Sequence, residues 1–251
     1  MIRFGSGVLI GTQKTDASGA AVTNATPVQF GVLQEVSLDI SFERKQLHGQ
    51  NQFAYAVARG KGDVSIKAKF ANVSGRIYGD LVLGSGTTAG IKAVVANFAA
   101  AIPTTPFTVT MAPPSSGTFA TDLGVVDVST GRPMKKVASA PATGQYSVAG
   151  AVYTFAAADT GKSVLISYEY SATSTVAQNS TLSNMQMGYS PTFSCHLTRI
   201  YGGNQETWVF PKVTATKLGI GFKNDDFSVD DVDLSPMDDG TGNIGYVALS
   251  E

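Results

Sequence analysis

Apolar and polar residues alternate with a period of two through long parts of this chain. In EVSLDISFE, Val36, Leu38, Ile40 and Phe42 fall on one side, and Glu35, Ser37, Asp39, Ser41 and Glu43 on the other. In DVSIKAKF, Val64, Ile66, Ala68 and Phe70 face one way while Ser65, Lys67 and Lys69 face the other. Such alternation predicts strands buried on one face. The segment between them, residues 46–62, is too long for a tight turn. It predicts a two-stranded extension or a long projecting loop. NVSGRIYGDLVLG then changes period. Ile77 with Leu81 and Tyr78 with Val82 stand four apart, Ser74 suits an N-cap, and Gly84 suits the end of a helix. Gly79 inside this helix costs stability. Residues 93–101 read as a second short helix before Pro103.

From residue 105 to 178 the strands become short: FTVTMA, DLGVVDV, KKVA, QYSV, VYTFA and SVLISYEY, each bounded by Gly, Pro, Ser or Thr. Regular short strands with turn signals predict a small β-sandwich inserted into a larger β-domain. That larger domain is then discontinuous, built from residues 28–104 and 179–251. In its second part Phe193, Cys195 and Leu197 share one face of a strand, Trp208 and Phe210 share a face of the next, and Gly202-Gly203-Asn204 joins the two as a hairpin. Residues 1–27 are rich in Gly, Ala and Thr with weak periodicity, and read as an arm or long loop. The fold class is therefore mainly β, with one flanking helix.

Composition agrees with a folded chain: 43% of the 251 residues are apolar and only 15% charged. No run reaches the roughly 18 apolar residues of a membrane helix. The start, MIRFGSGVLIGTQ, is a poor secretory signal, so a soluble protein made in the cytoplasm is expected, with no membrane partner. The net charge of −1 hides an asymmetry: residues 1–104 carry ten Lys/Arg against six Asp/Glu, and residues 179–251 carry four against nine. Asp225, Asp226, Asp230, Asp231, Asp233, Asp238 and Asp239 crowd into one stretch. Opposite-sign segments attract within a chain or between copies; the simpler reading of the stretch is an acidic, solvated loop.

Candidate chemistry is thin. Thr160-Gly161-Lys162-Ser163 ends like a phosphate-binding loop, but Ala156 stands where the leading glycine belongs, and the strand pattern Val164, Ile166, Tyr168, Tyr170 follows where a helix is required. A turn between strands explains it better. Cys195 and His196 are adjacent, so on a strand they point to opposite faces and cannot act on each other. His48 is the only other histidine, and no calcium-loop spacing fits the aspartates. Neither a metal nor a cofactor is expected, and no enzyme activity. With no basic run and a pI near 6.1, specific nucleic-acid binding is not expected either.

The stretch EVSLDISFERKQLHGQNQFAYAVARGKGDVSIKAKFANVSGRIYGDLVLG resembles the core of bacteriophage tail tube (major tail) proteins in its order of strand, long loop, Gly/Lys-rich entry to a second strand, and helix near Ser-Gly. ATGQYSV and VYTFAAADTGKSVLISYEY resemble an immunoglobulin-like β-sandwich module of phage structural proteins. The resemblance implies a tail-tube β-sandwich or barrel, and a subunit that joins copies of itself into rings, usually of six. These rings stack into a tube through which DNA passes without specific binding. It also implies a place in the virion tail, with tail terminator and distal tail proteins as end partners. The 46–62 loop, with Gln46, His48, Asn51, Phe53, Tyr55 and Arg59, would reach the neighbouring ring. Asp39, Ser41, Glu43, Ser65, Lys67 and Lys69 would line the lumen, Lys67 and Lys69 alternatively sitting at a subunit interface. Asp225, Asp226, Asp230, Asp231 and Asp233 would offer an acidic interface. An open lumen requires the inserted module to point outward, where a contractile sheath would sit, so a non-contractile tail is expected. The alternative function is a tail protein that binds a host carbohydrate or receptor.

Overall fold

The computed structural model describes residues 4–72 and 74–250. It is mainly β and divides into two compact units, residues 1–87 with 180–251, and residues 88–179.

The first unit begins with β1 (Val8–Thr15), β2 (Val28–Gln29), β3 (Val32–His48) and β4 (Ala54–Ala71). The expected arm over residues 1–27 is, in its described residues 4–27, no free arm, because β1 lies inside the sheet, between β2 and a strand from the far end of the chain. Its alternation was hidden because the inward positions are Leu9, Gly11 and Gln13, of which only Leu9 reads as core. Gly11 is there for space: a Cβ would meet the Leu81 side chain. β3 and β4 pair along nearly their whole length, from Val32–Ala71 to His48–Ala54, so residues 46–62 extend the hairpin rather than loop out.

The expected helix is a single π-helical stretch, Ile77–Val82, closed by the Leu83 amide donating to the Tyr78 carbonyl. The Ser74 side chain makes only a long contact with the Arg76 amide, 3.4 Å. Ile77 and Leu81 insert into the core. Gly79 faces Ser180, Thr87 and Gly86 so closely that any side chain would collide with them. Replacing Gly79 by Val should therefore lower stability by about 1–3 kcal/mol, measurable as a reduced midpoint in urea.

The second unit starts at Thr88, earlier than the expected boundary at residue 105. Its strands are β5 (Thr88–Ala89), β6 (Ile91–Ala101), β7 (Thr108–Thr110), β8 (Thr118–Asp127), β9 (Arg132–Pro133), β10 (Lys135–Lys136), β11 (Gln145–Ala149), β12 (Val152–Phe155), β13 (Ser163–Ala172) and β14 (Gln178–Asn179). Residues 93–101 are strand, not helix: β6 pairs with β13 over nine registered positions. Helix propensity favours Ala, but Ile91, Ala93 and Val95 gain burial in this unit's core, and a positive φ at Asn97 shifts the alternation midway. Two four-stranded sheets, β10-β11-β12-β7 and β6-β13-β8-β9, enclose a core rich in Tyr146, Tyr153, Phe155, Ile166 and Tyr168. The entering β5 and leaving β14 pair with each other.

The chain then returns to the first unit as β15 (Thr192–Tyr201), β16 (Asn204–Gly219), β17 (Asp230–Pro236) and β18 (Tyr246–Leu249). Gly202 and Gly203 form the turn between β15 and β16. The register sets Cys195 opposite Phe210 and Leu197 opposite Trp208, so all four serve one core. Pro211 sits where the partner of β16 changes from β18 (at Trp208 and Val209) to β17 (from Val213), where a missing N–H costs nothing. The strand order is β2-β1-β15-β16-β17-β4-β3. Only Phe30 and Gly31 separate β2 from β3, and the Phe30 amide donates to the Leu9 carbonyl. The sheet thus comes round on itself around Leu9, Phe30, Ile66, Phe70, Phe193, Val213, Val232 and Leu234.

Candidate functional site

Three places hold residue types capable of chemistry. At the Thr160–Ser163 turn, Lys162 binds the carboxylate of fully buried Asp159 at 2.7 Å, and that carboxylate also accepts the Gly144 amide. The lysine is held by the turn and β13 follows directly, so no phosphate cradle exists there. Cys195 is buried in the core, where desolvation pushes its thiol up to about 12, while His196 points out. At one end of the first unit a recess of about 250 Å³ is lined by Val36, Leu38, Leu197, Trp208, Arg199 and Glu206. Arg199 and Glu206 bind each other, and the Trp208 indole donates to Glu206 at 2.9 Å. Ser6, also on its lining, donates to the Leu33 carbonyl. Among the described residues no group of three or more His, Cys, Asp or Glu is placed to hold a metal ion, and no helix is long and apolar enough to cross a membrane.

The surfaces are more informative. Beyond Asp39 on β3 and before Val64 on β4 the hairpin leaves the core, and its residues are exposed on both faces. This arm carries Gln46 and His48 at the end of β3, Asn51 and Phe53 in the tip, and Tyr55 and Arg59 on β4. Phe53 and Tyr55 are 84% and 86% exposed. The Arg59 guanidinium lies 4.5 Å above the Phe42 ring.

On the outer face of the same sheet the register assembles a charged lattice. Glu35 faces Lys69, which faces Asp231; Ser37 faces Lys67, which faces Asp233, which faces Lys217. Lys69 binds Glu35 and Lys217 binds Asp231, each at 2.6 Å. The hydrogen bond from Lys69 holds the Glu35 carboxyl below its ordinary range and raises the lysine in turn. Asp39 faces Ser65, Ser41 faces Asp63, and Glu43 continues the row. The residues expected at a lumen and two of the residues expected at an acidic interface, Asp231 and Asp233, therefore belong to one surface. Sequence reasoning missed Lys217 and Asp63, which complete it.

Asp230 is a correction. It is turned inward, 4% exposed, and accepts the Tyr78 hydroxyl, so it is no surface residue. Its position in phase with Val232 and Leu234 was the available signal. Burial, reinforced by Asp230, pushes the Tyr78 hydroxyl far up, and it stays a donor. Tyr78→Phe leaves a buried carboxylate without this donor and should cost about 1–3 kcal/mol, seen as a lower melting temperature. Asp225 and Asp226 lie in the exposed connection between β16 and β17.

In the second unit Asp122 joins the two sheets. Its carboxylate accepts the hydroxyls of Tyr146 and Tyr153 and binds Lys136, all at 2.9 Å, and accepts the Gly124 amide at 3.0 Å. Burial alone would raise this carboxyl, but Lys136, the Gly124 amide and the two tyrosines together hold it below the ordinary carboxylate range. Tyr146, Tyr153, Tyr168 and Tyr170 are all core residues, so they form no aromatic binding surface.

No protein-family profile matches the chain, and no curated protein matches its sequence.

Proposed function

We propose that this chain is a structural subunit of the tail tube type, which joins copies of itself into rings, six per ring by resemblance, and stacks them into a tube in a virion tail. The observation that carries this reading is the β3–β4 arm. A hairpin that runs on beyond its core with apolar side chains on both faces gains nothing within its own chain, and exposed apolar surface of this kind marks contact with another molecule. The remaining features agree. β3 beyond Val36 has an open edge opposite β4, suited to pairing between copies. The Glu35, Asp39, Glu43, Lys67, Lys69, Asp231, Asp233 and Lys217 face is charge-mixed with excess acid, a lining along which DNA slides without being gripped. Tail terminator and distal tail proteins are the partners at the tube ends, the tail is non-contractile, and the chain is no enzyme. A micrograph showing a contractile sheath around the tube would contradict the non-contractile assignment.

Sedimentation velocity at rising protein concentration tests self-assembly, with ring-sized and larger species growing in as concentration rises. The rival, a surface-binding tail protein, draws less support because the second unit's tyrosines are interior. Glycan-array binding by a chain that stays monomeric at every concentration would favour it.

A further inference from the structure

We propose that the arm of one copy is received by the 220–229 connection of a second copy, head to tail. This rests on the self-assembly reading and names the receiving surface.

Residues 44–61 contain Arg44, Lys45, Arg59 and Lys61 and no carboxylate. Arg44 and Arg59 are direct cross-strand partners, an arrangement that repels when isolated. Among the described residues none of these four cations has an ion-pair partner. Glu43 and Asp63 stand only at the base of the arm, so its outer part carries excess positive charge, and the exposed Phe53 and Tyr55 add apolar surface at its tip.

The connection between β16 and β17 has the complementary make-up. Phe222 and Phe227 are 92% and 87% exposed and flank Asp225 and Asp226. Asp226 accepts the Phe227 amide at 2.8 Å with one oxygen and has a long contact with Lys223, 3.5 Å, through the other, and Asp225 has no ion pair among the described residues. Asp238 and Asp239 are held by their own turn: Asp238 accepts the Gly240 and Gly242 amides, and Asp239 accepts from Thr241. Arginines set against phenylalanines and aspartates gain both cation–π and ion-pair contacts.

Topology makes the contact intermolecular. The 220–229 connection leaves β16 at Gly219 opposite Asp231, and Asp230 lies opposite Phe70, which lies opposite Leu33. The arm tip stands at the other end of β3, roughly 50 Å away at about 3.3 Å per residue. A copy cannot reach its own connection, but a copy displaced along the strands can. Such a contact uses two different surfaces and does not close on itself, so it propagates into a filament.

The test uses two full-length variants, Arg44→Glu/Arg59→Glu and Asp225→Arg/Asp226→Arg, compared with the parent protein by sedimentation under conditions in which the parent polymerises. Each variant alone should need at least about tenfold more protein to polymerise. An equimolar mixture should recover polymer near the parental concentration, because each reversed arm then meets a reversed connection and each native arm a native one. Trp208 fluorescence checks that both variants are folded. If charge reversal harms folding, Arg44→Gln/Arg59→Gln serves instead: parental polymer should weaken with added salt, and the neutral variant should be weaker and nearly salt-insensitive. An arm variant that polymerises as the parent does, or a mixture in which neither variant rescues the other, would overturn the assignment of the receiving surface and leave the tube reading intact. A parent that never polymerises would overturn both.

Discussion

A chain in which residues 43–61 are replaced by Asn-Gly folds as the parent does and no longer polymerises. Phe42 and Gly62 already face each other across the hairpin, so a two-residue turn can join them without moving the core. The removed residues are exposed almost throughout and contribute no side chain to either core. Folding stability should therefore change by less than about 1 kcal/mol, as is usual for surface changes. Polymerisation, in contrast, should fail even about tenfold above the parental threshold, since the long β3–β4 extension of the first unit is gone. Sedimentation reads the loss, and Trp208 fluorescence, from the chain's single tryptophan, reads the intact fold. Polymer formed as readily as by the parent would show that the arm is not the joining element.

The second large effect falls in the other unit. Asp122→Ala removes one acceptor from two buried tyrosine hydroxyls and one partner from Lys136. Breaking a buried, charge-assisted cluster from one side costs about 3–5 kcal/mol; the exposed half of Lys136 returns to water, so most of the loss comes from the stranded hydroxyls. The melting temperature of this unit should drop by at least about 10 °C. Residues 88–179 contain no tryptophan, so near-ultraviolet tyrosine dichroism should shift while the Trp208 transition stays in place. The same cluster sets an acid limit. Because the folded Asp122 carboxyl is held below its unfolded value near 3.9, its contribution is complete above that pH and is lost as pH falls through about 4 and below. Asp122→Asn should remove this acid-dependent part and destabilise less than Ala.

Strands were legible where one face is uniformly apolar. β3, β4 and β13 follow directly from Val36-Leu38-Ile40, Val64-Ile66-Ala68 and Val164-Ile166-Tyr168. β1 was not legible because Gly11 and Gln13 occupy inward positions. β6 was not because alanines carry a helix preference that pairing with β13 overrides, and the Asn97 kink breaks its period. That second error displaced the unit boundary, since β6 belongs with residues 105–178. The charged lattice was half legible. Lys67 and Lys69 could be assigned to a polar face, but their apposition to Asp231 and Asp233 depends on β17 pairing with β4 across more than 160 residues, which no local pattern encodes. The inward turn of Asp230 was readable from its phase. Its partner Tyr78 was not, because the contact depends on where the helical stretch docks.

The most direct test of the central claim is electron microscopy of the purified protein at increasing concentration. The account predicts rings, and then stacked tubes, with a central hole. Particles that stay single and compact at the highest concentrations would contradict it.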